Sequence, residues 1–446
     1  MYNLDRFVAY PLMFLHKGEK MKLSDIVYAS FEEVKAMPRF NLSEPPRKAK
    51  WYLQPIAWLA SYPETWATHT KIVKKNMKGL KPPYILLCNH NSFFDFKVAT
   101  RAIFPHPSNW IVAVDGFINR ENIMRNVGCF GKRKFISDIR LVQAIKTSLF
   151  KNNYICTIYP EARYSLCGTT AILPDSLGKM VKLFKVPVVT LISHGHHLHQ
   201  PVWNTQKRKI HTRADMTQIL TKNEIESLTV DEINDVIVKN FQYDDFAYQR
   251  DNKIQYKDKN RAVGLHKILY KCPACGDETS MRSAGDKIWC DHCHKTYTMN
   301  TLSQLKAVEG ETEFSHIPDW FEWERSEVRK EIENGTYHLE TIVDIDSLPN
   351  STGYYRLGSG KMIHDINGFH METILEDGTK FVIKKKPLEN YGVHIEFEYF
   401  GKGDHFSFSE LDDTYCFFSR DKNFHITKIH FGVEEVYKKI SASKTL

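Results

Sequence analysis

The chain has 446 residues, 42% of them apolar, and a formal net charge of +8. That is enough apolar material for a sizeable core and two or three domains, and no apolar run approaches the about 18 residues of a membrane span. Charge is uneven: residues 1–200 hold 28 Lys and Arg against 13 Asp and Glu, and residues 201–446 hold 33 against 40, so the first half suits an anionic surface or acidic, phosphate-bearing ligands, or is an ordinary solvated basic face.

Residues 1–80 read as helical and interfacial. The apolar stretch 7–15 is short, contains Pro11, and has neither a basic leading segment nor a small-residue cleavage site. It is expected to be an interfacial anchor or a packed segment, not a signal peptide. Trp51, Tyr52, Trp58, Tyr62 and Trp66 precede Lys71, Lys74, Lys75 and Lys78. Such rings suit the headgroup level of a bilayer and equally suit a core.

After Pro82-Pro83, the apolar run 84–88 reads as a buried strand. It leads into Asn89-His90-Asn91-Ser92-Phe93-Phe94-Asp95, where Asn91 or Ser92 is expected to cap a helix starting near Phe93. His90 then lies on the strand-to-helix loop, and Asp95 in the first helical turn reaches back to its ring. An imidazole held by a carboxylate is the core of a general base, and a substrate hydroxyl makes a protein nucleophile unnecessary. Taken alone, the pair also fits a capping aspartate beside a loop histidine. Strands at 154–159 and 186–193, with helical spacing over 138–150, imply an α/β catalytic domain over residues 81–260, its mostly parallel sheet flanked by helices.

Three further blocks follow in order: Gly128-Cys129-Phe130-Gly131-Lys132-Arg133, Tyr159-Pro160-Glu161-Ala162-Arg163-Tyr164-Ser165, and Val186-Pro187-Val188-Val189-Thr190. With the first block they resemble the lysophospholipid acyltransferase family, which includes the 1-acylglycerol-3-phosphate acyltransferases, over residues 50–250. The resemblance implies that His90, oriented by Asp95, deprotonates a hydroxyl that attacks an acyl thioester. The donor is acyl-CoA or acyl-carrier protein, and lysophosphatidic acid is the leading acceptor, with glycerol 3-phosphate or another lyso-lipid as alternatives. It further implies substrate contacts from Asn89, Gly128, Arg133, Pro160, Glu161 and Arg163, with Arg133 on the phosphate. The family's third block reads Pro-Glu-Gly-Thr-Arg-Ser, so Arg163 stands one position closer to the glutamate. Either it still reaches the phosphate, or Tyr164 takes that place, or Arg163 bridges to Glu161 and fixes the turn.

The pattern at Thr229-Val230-Asp231-Glu232 is a capping box opening a helix to about Asn240. Beyond the mixed-charge stretch 243–261 come Cys272-Pro273-Ala274-Cys275 and Cys290-Asp291-His292-Cys293, with 14 residues between them. This is zinc-ribbon spacing, and with all four positions filled by Cys272, Cys275, Cys290 and Cys293 the Zn²⁺ is structural. Disulfides compete, but nothing suggests secretion. His292 and His294 are the alternative ligands. The other five cysteines read as small buried hydrophobes. His194, His196, His197 and His199 line a loop near the site or carry no special role.

Residues 301–340 read as a helical linker, with a helix from Pro318 through Trp320, Trp323 and Val328 that ends before Gly335. From 341 to 446 short alternating strands, turn signals at Gly358-Ser359-Gly360, Asp377-Gly378 and Gly401-Lys402-Gly403, and a final helix over 433–440 describe a β-rich domain. It is similar in strand count and terminal helix to pleckstrin-homology-like domains. The whole reads as an α/β catalytic domain, a zinc ribbon at 265–300 and a C-terminal β-rich domain, cytoplasmic and peripheral on the membrane. The alternative of a different class is a non-catalytic zinc-ribbon adaptor for membranes or nucleic acid. The positive charge lies in the half without the ribbon, which disfavours nucleic acid.

Overall fold

A computed structural model describes residues 24–445 except residue 205; the expectation for residues 7–15 lies outside the described residues. β1 (Val27–Tyr28) and α1 (Phe31–Ala36) come first, α1 opening on a reciprocal Ser30–Glu33 capping box. The α/β layer is then built from α2 (Leu53–Ala67), β2 (Lys71–Lys75), β3 (Ile85–Cys88), α3 (Phe94–Ile103), β4 (Ser108–Ala113), α4 (Glu121–Val127) and β5 (Cys129–Lys132). It continues through α5 (Ile139–Lys146), β6 (Ile155–Ile158), α6 (Ser176–Phe184), β7 (Val188–His194), the single turn α7 (His196–His199) and β8 (Arg213–Leu220).

The seven-stranded sheet runs β2-β8-β7-β3-β6-β4-β5. From β7 to β5 all neighbours are parallel, whereas β8 meets β7 antiparallel and pairs with β2 in parallel. β3 and β6 are buried along their whole length, as uninterrupted apolar strands must be when both faces are covered. β2 is an edge strand carrying Lys71, Lys74 and Lys75, a charged margin that resists pairing with another chain. Residues 1–80 are therefore not uniformly helical: β2 belongs to the sheet, and β1 pairs with a strand of the β-rich domain.

Three helices, α8 (Lys222–Ser227), α9 (Val230–Asn240) and α10 (Asp245–Asp251), follow, and α9 opens on the expected Thr229–Glu232 box. The ribbon is a four-stranded antiparallel sheet of β9 (Met281–Ala284), β10 (Lys287–Cys290), β11 (Thr296–Met299) and β12 (Leu305–Ala307). Next, α11 (Ile317–Glu333) has Pro318 in its first turn, as expected. It is no loose linker: Trp320, Phe321, Val328 and Ile332 are buried, and Trp320 Nε1 donates to the Lys271 carbonyl at 3.0 Å.

The β-rich sheet comprises β13 (His338–Ser347), β14 (Tyr355–Asp365), β15 (Gly368–Ile374), β16 (Lys380–Lys385), β17 (His394–Glu396), β18 (His405–Ser409) and β19 (Thr414–Ser419). Its order is β16-β15-β14-β13-β19-β18-β17, with β1 added to β14 through Val27 opposite Tyr355. Asp377-Gly378 turns β15 into β16, but Gly358-Ser359-Gly360 lies inside β14. There a Cβ on Gly360 would sit 2.8 Å from Thr373, so the glycine serves close strand approach rather than a turn. The closing helix α12 (Ile426–Thr445) starts well before residue 433. It passes through Gly432 because a Cβ there would lie 1.7 Å from the Tyr337 hydroxyl. One core unites ribbon, α11, α12 and the β-rich sheet and reaches Leu198 and Trp203 of the α/β layer. A second joins one face of the α/β sheet to Leu348, Tyr354 and Phe418.

Candidate active site

Parallel strands deliver their C-terminal ends to one sheet edge, and in such folds that edge collects the functional loops. Here His90 follows β3, Lys132 ends β5, Tyr159 to Arg163 follow β6, and His196 follows β7. The main chain of His90 is held on both sides: its N–H donates to Glu161 Oε2 at 2.8 Å, and its carbonyl accepts from the Ser165 N–H at 2.7 Å. Its Nδ1 lies 3.2 Å from Asp95 Oδ2.

Asp95, 2% exposed, is a hub of four donors. Oδ2 also accepts the N–H groups of Asn91 at 2.6 Å and Ser92 at 2.9 Å, and Oδ1 takes His196 Nδ1 at 2.5 Å. The cap of α3 is thus reversed from the expectation: Phe93 holds the N-cap position without a side-chain bond, and Asp95 reaches back to the loop. Burial alone would raise this carboxyl, but the bonds from His196 and His90 pull it down to about 2. An ionised Asp95 requires Nδ1–H on His90, which leaves Nε2 as the basic nitrogen of that ring. The His90 side chain is 24% exposed and lies between Tyr159 and Tyr164, each with its ring centroid 4.3 Å away.

His90 opens onto a cavity of about 2760 Å³. Its walls are largely apolar, including Phe93, Phe96, Leu141, Ile145, Met180 and Leu183, and the β-rich domain contributes His394 and Tyr399. Four lysines also line it, Lys132, Lys134, Lys179 and Lys438. Lys134 lies 3.6 Å from Asp115 and 2.8 Å from His394 Nε2. Lys132 has no ion-pair partner among the described residues, and burial lowers its pKa.

The second-block arginine faces the other way, because neighbours on an extended segment point to opposite sides. Arg133 is buried, and its guanidinium donates to the carbonyls of Leu348 and Pro349 at 3.0 Å, of Asp412 at 2.8 Å, and to Thr414 Oγ1 at 2.9 Å. Both terminal nitrogens are occupied by the β-rich domain, so Arg133 is not placed to hold a substrate phosphate. Arg163 lines the cavity, but its charge is paired with Glu434 of α12 rather than with Glu161. Tyr164 therefore stands against His90, where the family pattern has its arginine.

Other expected contacts are also structural. Asn89 is buried and exchanges both amide bonds with the Ser193 main chain, at 2.9 and 2.8 Å, tying β3 to β7. Gly128 ends α4 at φ +102°, and its carbonyl accepts from Asn109 Nδ2 at 2.8 Å; it forms the turn into β5 and does not line the cavity. Glu161 is buried behind His90, with Oε1 accepting from the Ala171 N–H and the Tyr243 hydroxyl, each at 2.8 Å. Burial pushes it up to about 7 against those donors. It braces the His90 loop instead of touching substrate. Pro160 does line the cavity.

The sulfurs of Cys272, Cys275, Cys290 and Cys293 all lie within 4.8 Å of one another. The Cys272–Cys293 and Cys275–Cys290 separations are 3.6 and 3.8 Å. A tetrahedron with metal–sulfur bonds of about 2.3 Å has edges of about 3.8 Å, so the four thiolates fit a metal such as zinc. The tight turns Gly276 N–H to Cys272 O at 2.8 Å and His294 N–H to Cys290 O at 2.9 Å shape the two knuckles.

Sequence reasoning singled out neither Tyr243 nor His394 nor Lys132 individually, and it placed His196 only on a loop near the site or without a special role. For His196 the available signal was its place just past a parallel strand, on the edge where His90 had already been put.

No family model matches the chain, and no curated protein matches it. Among solved structures it is similar to the 1-acyl-sn-glycerophosphate (LPA) acyltransferase PlsC from Thermotoga maritima, at 15% identity and a TM-score of 0.34, over 42% of this chain and 76% of that one.

Proposed function

We propose that the chain transfers an acyl group from a thioester, of coenzyme A or acyl-carrier protein, to a hydroxyl of a lysophospholipid-type acceptor, with lysophosphatidic acid first among them. The observation that carries this reading is the His90–Asp95 pair on the wall of the large apolar cavity. His90 Nε2 takes the hydroxyl proton as the oxygen attacks the thioester carbonyl. The tetrahedral adduct then expels the thiolate, which recovers the proton from the imidazolium that Asp95 stabilises. A general base of this kind contributes roughly a hundred- to ten thousand-fold. The apolar walls suit the acyl chain, and Lys132 supplies the cation for the acceptor phosphate that Arg133 does not. The ribbon's four thiolates hold their metal in a structural role.

The acceptor's origin in a bilayer fits the outer face of α2. Trp66 of α2 is 77% exposed and Trp51, in the turn just before the helix, is 82% exposed, whereas Trp58 stacks on Phe104. Among the described residues no helix is long and apolar enough to cross a membrane; the exposed rings and the basic first half support a reading of peripheral contact with an anionic surface on the cytoplasmic side.

The test is acyl transfer from palmitoyl-CoA to lysophosphatidic acid or glycerol 3-phosphate by wild type and His90→Ala. A fall of a hundred-fold or more is expected. Equal rates in the two proteins would remove His90 as the base, and no transfer by wild type to either acceptor would sink the assignment.

A further inference from the structure

We infer that His196 is a positioning residue for the His90 base: it holds the second oxygen of Asp95, so that one carboxylate governs two imidazoles. The inference rests on the reading of His90 as a base.

The contact to His196 is the shorter of the two, 2.5 Å against 3.2 Å to His90. Because Asp95 is ionised, His196 must present Nδ1–H to Oδ1. Its Nε2 is buried without a partner, and the residue is fully buried. The ring is also held rigidly. Gly195, at φ +79°, turns the chain out of β7, and the Phe94 ring packs 4.7 Å from His196. The neighbouring His197 N–H is fixed by Asp245 Oδ2 at 2.8 Å.

Two consequences follow from a shared carboxylate. Its plane is fixed at both oxygens, which fixes the His90 tautomer and ring orientation. Its charge is divided between two donors, which moderates the basicity that Asp95 confers on His90. The other titratable groups facing Asp95 are Cys88 at the end of β3, His197 of α7 and Asp245 of α10. Facing His90 are Tyr159 and Tyr164 on its ring, Glu161 at its N–H, and His394 from β17. Only His196 donates to Asp95 Oδ1 among the described residues.

The experiment compares wild type, His196→Leu, His196→Asn and His196→Gln. Asparagine places its amide N–H near the lost Nδ1 position, while glutamine carries it one bond farther out. The His90 imidazole is titrated by nitrogen-proton NMR, its signal identified by its absence in His90→Ala, and the pH profile of palmitoyl transfer is recorded alongside. With Leu or Gln, the His90 midpoint should rise by half a pH unit or more, and kcat should fall at least ten-fold at little changed KM. Asn should restore both. An unmoved His90 midpoint in the Leu and Gln variants, or in Gln alone where Leu fails to fold, overturns the inference. The NMR arm needs no substrate: a moved midpoint in a protein without transferase activity would defeat the acyl-transfer reading and leave the positioning role standing.

Discussion

Residue by residue, the site separates groups that face the cavity from groups that hold it in shape. Lys132 and Arg133 are chain neighbours with opposite duties, and their variants should behave oppositely. Lys132→Met is expected to raise KM for a phosphorylated acceptor ten-fold or more with little loss of kcat. Arg133→Met should leave that KM alone and lower the urea midpoint, since it strands four carbonyl and hydroxyl acceptors. Steady-state kinetics on both variants checks the pair. Ala162 sits at φ +56°, in the left-handed region where the resembled family has glycine. Ala162→Gly is therefore expected to stabilise the protein by about 1 kcal/mol in urea unfolding, and a loss would mean the methyl group is needed for packing. The His90–Asp95 relation was legible because it is local, a loop and one helical turn. The Arg133 role was not, because a motif locates a strand only to within a residue and strand faces alternate every residue.

Among the elements, α12 decides how the β-rich domain is seated. Its Glu434 is fully buried between Arg163 of the third block and Arg325 of α11. Burial would raise this carboxyl, but Arg163, His430 and Arg325 hold it well below its ordinary value of 4.5. A depressed carboxyl contributes stability that is fully present above its unfolded value and is lost as pH falls below it. Acid unfolding should therefore steepen below about pH 4.5 in wild type and be shallower in Glu434→Gln. At neutral pH that variant is expected to cost about 3 kcal/mol, because Arg163 remains buried without an ion-pair partner among the described residues, while Arg325 keeps Glu322 and Glu435. Denaturant titrations at several pH values read both effects, and parallel pH profiles would count against the pairing. The helices and turns with local signatures, such as α9 and α11, were readable from sequence. The length of α12 was not, because Gly432 looks like a breaker until Tyr337 is seen against it.

For the whole molecule, the ribbon is a shared structural member. Its strands lie in the same core as α11, α12 and the β-rich sheet. Lys428 of α12 reaches Glu278 of the ribbon at 2.7 Å and Glu331 of α11 at 3.0 Å. With a metal on the four thiolates, a chelator should therefore lower the melting temperature of the entire chain in one transition. A ribbon that melts alone, ahead of an unchanged main transition, would show that the core is less continuous than its packing implies. The sequence showed the layered α/β class and the four cysteines, because parallel strands and metal knuckles carry short-range patterns. It did not show that the units share cores, since those contacts join residues hundreds of positions apart.

That distance has a temporal meaning. Arg133 is separated by 215 residues from Leu348 and by 279 from Asp412, whose carbonyls receive it, and Arg163 by 271 from Glu434. At about 5–20 residues per second, a ribosome needs roughly 10 to 55 s to bring such pairs into existence. For that interval the α/β layer exists with two cations awaiting burial and one cavity wall unmade. His90 therefore becomes enclosed only after His394, Tyr399 and Tyr437 of the cavity wall have been made, and chains arrested before that point should be ready clients for chaperones that recognise exposed basic and apolar surface.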